Sequence, residues 1–242
     1  MVVQMYRLGI RKAECVFFQN EENRNIFEKF GIKGKSSRLV KGSGVNLRRH
    51  EMEEYPKGNP VKFLYVGRIM REKGIMEFLL AAEKLHSDKV CFELLGSCDE
   101  DLQDVLDEYE KKGCVKQLGF DPQVHQHLKE CSALVLPTYH EGMSNVLMEA
   151  SATGRPVIAT DISGCREIFE EGLTGFGCKP GSAEELTEAI RKFLALSPEQ
   201  RADMGRKARQ KMEKEFDRWK VVKEYMEEIH KSLNKEDKNE SV

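Results

Sequence analysis

From Val61 onward the chain alternates short apolar runs with segments whose apolar residues return every three or four positions. The runs KFLYV (62–66), VCFELLG (90–96), CVKQLG (114–119), SALVLP (132–137) and PVIAT (156–160) read as strands, apolar at their centres. Between the first two, Ile75, Phe78, Leu79, Ala82 and Leu85 mark one buried helical face. Further helices are predicted over 101–112, 124–131 and 144–152, with a short one at 165–169. Ser182 with Glu185 forms a capping signal, and Ser197, Pro198 and Gln200 combine a cap, a proline at the first helical position and a second box. Strands and helices in alternation predict an α/β fold: a Rossmann-like parallel sheet with helices on both faces. Ligands of such sheets bind at the carboxyl ends of the strands, in the loops that lead to helices.

The two ends do not follow this repeat. Residues 1–42 read as a helix end, a strand (15–18), a helix (22–30) and a strand (37–40), whereas 43–215 hold the Rossmann-like unit. Trp219, Val222, Met226 and Ile229 form an apolar stripe on a final helix, expected over 216–233 and expected to pack back on the 1–42 segment. The polar stretch 234–242 predicts a disordered tail.

Composition narrows the picture. The 242 residues carry a net charge of −2 and 33% charged residues, which argues against nucleic acid as the main partner. Lys33, Lys35, Arg38, Lys41, Arg48 and Arg49 do cluster. Such a run is either a solvated loop surface or a surface facing anionic lipid or a diphosphate, so peripheral membrane association stays open. No run reaches the roughly 18 apolar residues of a membrane span, and the first residues lack the pattern of a secretion signal. Seven scattered cysteines without a Cys-x-x-Cys pair suit neither zinc nor a disulfide framework. Reduced thiols and a cytoplasmic location, at most at the inner face of the cell membrane, are expected.

Three loops carry candidate chemistry. In VGRIMREKG (66–74), Gly67 permits a tight turn while Arg68 and Lys73 place two cations near a helix start, as a diphosphate cradle requires. Arg68 paired with a surface acid is the plainer alternative. Gly119 and Phe120 close the next candidate, a weak one, since glycine after a strand usually marks only a turn. The strongest is TYHEGMSNVLMEA (138–150), where Ser144 or Asn145 would cap a helix and the amides of Met143, Ser144 and Asn145 would face an anion. Glu141 and Glu149 should lie on the order of 10 Å apart at 1.5 Å per helical residue. That is too far for a shared acid/base pair. It suits two carboxylates holding different ends of one elongated ligand, although a buried Glu149 paired with a neighbour fits the residues as well. His125 and His127 read as structural, and His140 is a candidate to line the pocket.

GR followed by EKG, then LGF, then HEGMSNVLMEASATGRPVIATDISGCREIFEEGLTGF resemble, in order and spacing, the carboxyl-terminal domain of family-four retaining glycosyltransferases of GT-B architecture. The resemblance covers about residues 38–230, and FFQNEENRNIF resembles the last strand and helix of the family's amino-terminal domain. It implies that Arg68 and Lys73 hold the donor diphosphate, Glu149 the ribose, and Glu141 the transferred sugar. Gly142 to Asn145 would contact the sugar or distal phosphate, and Gly119 and Phe120 would lie against the base. It further implies a nucleotide-sugar donor, UDP-linked, as substrate, with no cofactor and no metal, and a glycan or lipid-linked sugar as acceptor. The variant resembles the branch that builds bacterial surface polysaccharides.

Two departures stand out. Only the end of the amino-terminal domain is recognisable, so most of the acceptor site is expected to lie outside this sequence. SGCRE (163–167) replaces a Gly-Gly and proline pattern, giving Arg166 a chance to add a contact. A nucleotide-sugar binding module or inactive fragment, and a GT-B enzyme of another reaction type, remain alternatives.

Overall fold

Phe63, Leu64 and Tyr65 are fully buried on a strand whose two faces are both covered, so this strand lies at the heart of the molecule. It is β3 (Val61–Val66) of a computed structural model that describes residues 1–58, 60–99 and 101–239, without the side chains of 235–239. Phe63 stacks on Phe92 with ring centroids 5.2 Å apart, and Phe78 meets Phe92 edge-on at 5.6 Å. Each such pair contributes about 0.5–1.5 kcal/mol beyond its buried area.

Around β3 the chain lays down β4 (Val90–Leu95), β5 (Lys116–Gly119), β6 (Ala133–Leu136), β7 (Val157–Thr160) and β8 (Gly175–Cys178). They form one parallel six-stranded sheet in the order β5-β4-β3-β6-β7-β8. The predicted α/β architecture is therefore observed. Helices α3 (Ile75–Leu85), α4 (Gln103–Lys111), α5 (Val124–Glu130), α6 (Asn145–Ala152), α7 (Ala183–Ala195) and α8 (Pro198–Lys211) connect and cover the strands. Right-handed crossovers put α3 and α4 on one face, and reversal of direction after β5 puts α5 and α6 on the other. α7 returns to pack beside α3. Two details differ from the sequence reading. Residues 163–168 form consecutive turns rather than a helix, and β8 follows them, its two glycines having masked the strand signal. The Ser197–Gln200 capping box is complete, whereas Glu185 turns its side chain to Lys179.

The amino-terminal part contains α1 (Val2–Ile10), β1 (Val16–Phe18), α2 (Glu21–Lys29) and β2 (Ser37–Leu39), with β1 and β2 paired in parallel. The chain then crosses to the large sheet and later returns beside the same crossing. There Val45 donates to the Phe216 carbonyl at 2.8 Å and accepts from the Arg218 amide at 3.1 Å. The returning helix α9 (Arg218–Asn239) meets β1 through Tyr225 on Phe17, ring centroids 4.3 Å apart, and β2 through Glu228, 2.8 Å from Arg38. These contacts come from a different face than the expected one: Trp219, Val222, Met226 and Ile229 are one-third to two-thirds exposed. The helix also runs through 234–239, where lysine and glutamate have good helix propensity; residues 240–242 lie outside the described residues. Much of the basic run is neutralised locally, with Lys35 on Glu14, Arg38 on Glu228 and Lys41 near Glu215. None of the seven cysteines forms a disulfide.

Arg155, fully buried, ties the linker to the sheet. Its guanidinium donates to the carbonyls of Leu128, Lys129 and Glu54 at 2.8–2.9 Å and of Glu53 at 3.2 Å. Removing one charged donor orphans several buried acceptors at once. Arg155→Met should therefore lower unfolding free energy by about 3 kcal/mol or more in urea titration; a loss below about 1 kcal/mol would show that the linker is held by other contacts.

Candidate functional site

The strand order reverses between β3 and β6, which lie side by side while their following loops run to opposite faces. A crevice opens at such a switch point, at the carboxyl ends of the strands. Its walls are the loop after β3 and the loop after β6. Gly74, at φ +72°, has the Pro137 carbonyl oxygen 2.0 Å from where a Cβ would stand, so any larger residue would push these loops apart. Their closeness brings Lys73 Nζ to 2.6 Å from Glu141 Oε1, both side chains mostly buried. The Tyr139 amide donates to the Glu72 carbonyl at 2.9 Å and adds a second tie.

The turn that presents Glu141 is pressed from behind by residues 163–164. A Cβ on Gly164 (φ +90°) would lie 2.6 Å from the Glu141 carbonyl oxygen and 2.7 Å from that of Gly142. The Ser144 amide donates to the Gly164 carbonyl at 2.9 Å. That amide is thus occupied within the protein, which revises the expected set of anion-facing amides. Ser144 occupies the N-cap of α6 without a side-chain bond, Asn145 accepts from the Ser43 hydroxyl at 2.9 Å, and Met143 is buried. A cleft of about 640 Å³ opens before this turn, with Tyr139, His140, Glu141 and Gly142 on one wall and Asn20, Glu22 and Asn23 of the amino-terminal part on the other. Behind it the Tyr139 hydroxyl donates to Glu77 at 2.7 Å, and burial, reinforced by that carboxylate, pushes the phenol up to about 12.

Arg68 stands at the rim, 64% exposed, with Nη1 3.5 Å from Asp99 of the loop after β4. This is the surface pairing weighed against a ligand role, and it leaves the guanidinium free to exchange partners at small cost. Gly67 donates to the Leu95 carbonyl at 3.0 Å, and the Gly119 carbonyl accepts from Gly96 at 2.8 Å, so the ends of β3, β4 and β5 are stitched into one ledge. Phe120 projects from it, 76% exposed. Arg166, a possible extra contact by sequence, is bound to Asp161 at 2.8 Å.

Glu149 faces another quarter. Its nearest titratable partner is His50, Nε2 3.6 Å from Oε1, and His50 in turn meets His125 edge-on at 5.4 Å. Burial raises the Glu149 carboxyl pKa, against the pull of Arg49 and Arg218. Burial, helped by His125 and the two arginines, lowers His50 to about 4. His127 binds Asp121 at 2.9 Å. Glu141 and Glu149 are therefore carboxylates in separate settings, one against a cation and one against a neutral imidazole. Asn20, His50, Glu77 and Asp99 were missed by sequence reading because each reaches the site from an element distant along the chain, although Asn20 lies within the quoted stretch FFQNEENRNIF. Tyr139 stood inside the quoted motif without a role.

A parallel sheet, with a switch-point crevice and a Lys–Glu pair beside it, defines a Rossmann-like domain. Residues 48–211 match the family Glycosyl transferases group 1, and the chain belongs to that family. Among curated relatives it is 28% identical over 207 residues to the N,N'-diacetylbacillosaminyl-diphospho-undecaprenol alpha-1,3-N-acetylgalactosaminyltransferase of Campylobacter jejuni, covering 80% of this chain and 54% of that protein. It is 30% identical over 169 residues to the amylovoran biosynthesis glycosyltransferase AmsK of Erwinia amylovora, covering 65% and 41%. The structure of Anabaena HepE in complex with UDP-glucose aligns with a TM-score of 0.81 at 19% identity, covering 95% of this chain and 67% of that one. The chain spans about half the length of the curated relatives it matches.

His50 gives the site a pH signature. It titrates near 6.5 unfolded and at about 4 folded, so on acidification the unfolded chain takes up this proton first and the stability tied to neutral His50 is lost between those values. Glu149, with a raised pKa, works in the opposite sense, since its protonation relieves a buried charge. His50→Gln should flatten the loss of stability between pH 7 and 4.5 by about 2–3 kcal/mol in urea titrations. Equal slopes for variant and wild type would contradict a buried neutral imidazole.

Proposed function

We propose that this chain is the donor-binding half of a retaining glycosyltransferase. It moves a sugar from a UDP-linked donor to a hydroxyl of a glycan or lipid-linked sugar, in bacterial surface-polysaccharide synthesis at the cytoplasmic face of the membrane. The observation that carries this reading is the Lys73–Glu141 pair at the switch-point crevice, 2.6 Å apart and mostly buried. A diphosphate entering there takes Lys73 from Glu141 and draws Arg68 from Asp99. The freed Glu141 then faces the hydroxyls of the transferred sugar, Glu149 the ribose, and Gly119 with Phe120 the base. The relatives named for an N-acetylgalactosaminyl transfer onto a diphospho-undecaprenol-linked sugar and for amylovoran biosynthesis support the acceptor class, and the UDP-glucose complex supports the donor.

In the reaction the bond between the sugar's anomeric carbon and the β-phosphate oxygen breaks, the electron pair leaving with the nucleotide. The acceptor oxygen bonds to the same face of that carbon, and its proton passes to the departing phosphate oxygen. Lys73 and Arg68 stabilise the negative charge that grows on the leaving group. Such a scheme uses neither a side-chain base nor a metal. The half-length match to curated relatives favours, as second reading, a nucleotide-sugar binding module or inactive fragment without the acceptor domain.

Calorimetric titration with UDP, GDP and ADP tests this. UDP should bind equally well with EDTA or magnesium present, and Lys73→Ala should weaken it about tenfold to a hundredfold, the effect of one lost charged hydrogen bond. Binding of none of the three, or binding untouched by Lys73→Ala and Glu149→Ala, sinks the assignment.

A further inference from the structure

Asn20 is 2% exposed and lies between two parts of the molecule that are far apart in sequence. Its side-chain oxygen accepts from the Asn23 amide at 2.8 Å and caps α2. Its side-chain nitrogen donates to the Gly142 carbonyl at 2.7 Å, across 122 residues of sequence. The two bonds fix the amide's orientation, because only one assignment gives the Asn23 N–H an acceptor and the Gly142 carbonyl a donor. Contact is close on both sides: a Cβ on Gly142 would stand 2.8 Å from Gln19 Oε1. The Gly142 carbonyl is thus held from the front by Asn20, while Gly164 presses the same turn from behind.

We infer that Asn20 is a latch that positions the Glu141–Gly142 turn. α2 carries Glu22 and Asn23 along the far wall of the cleft, and Glu141 lies on the near wall. A single buried amide sets the distance between them. Whatever hydroxyl-bearing ligand enters the cleft meets a turn whose carbonyl direction is already chosen. The latch does not touch the reacting atoms. It acts through the turn, and it serves catalysis only if the proposed donor site is correct.

The substitution Asn20→Asp separates the two bonds. Aspartate caps helices as well as asparagine, yet it has no proton to give and sets a carboxylate against the Gly142 carbonyl. Hydrogen exchange of the whole chain, with and without UDP, is the measurement. In Asn20→Asp, exchange within residues 141–145 should rise at least tenfold while that of β3 stays as in the wild type. Asn20→Ser, which caps but is too short to reach, should behave alike. If only Asn20→Ala, which removes the cap as well, changes exchange at 141–145, the residue is a helix cap and the latch is overturned. Failure of the wild type to bind UDP sinks the donor-site reading instead, and leaves the exchange comparison to decide the latch.

Discussion

Reversal of strand order at β3 is the constraint on which the molecule depends. A right-handed crossover from β3 carries the chain outward through β4 and β5 on one face of the sheet. The chain must then return past β3 to lay down β6 on its other side, which places the next helices on the opposite face. β3 and β6 share only two paired positions, Phe63 with Ala133 and Leu64 with Leu134, and beyond them the two loops part. The crevice follows from topology. The side chains then give it character: Gly74 lets the loops approach, and that approach sets Lys73 against Glu141.

Buried polar groups do the joining that apolar packing cannot. Arg155 gathers carbonyls from the linker and from the end of α5, and Val45 meets the chain again at residues 216–218, where it recrosses. Hydrophobic burial is non-directional, so it holds the sheet and helices together without fixing the angle between the amino-terminal part and the large sheet. Directional bonds at the crossing and at Asn20 fix it. An apolar pocket of about 600 Å³ between the linker and the start of α8, near Met52, Tyr55 and Gly154, lies by the amino ends of the strands. It is thus remote from the switch point.

Much of this was legible in the sequence. The apolar runs at β3, β4, β6 and β7 and the helical spacing of Ile75, Phe78 and Leu79 set the fold class. The loops bearing Lys73 and Glu141 could be named from the rule that ligands bind at strand ends. β8 escaped because glycines carry no alternation, and the stripe on α9 misled because periodicity shows that a helix has an apolar side without showing what meets it. Arg68 illustrates the same limit: its charge was plain, its partner Asp99 was not. His50 and Asn20 are invisible to local patterns, since their meaning comes from a contact with a helix or turn a hundred or so residues away. Site residues are legible when one loop contains them and obscure when the fold assembles them.

The switch-point crevice is proposed to receive a nucleoside diphosphate. The most direct measurement is a backbone amide NMR titration of the chain with UDP. The largest shifts should fall at residues 67–73, 118–120 and 139–145, with none of note at 52–58 and 198–206. Shifts concentrated at the amino-edge pocket, with the crevice loops unmoved, would contradict it.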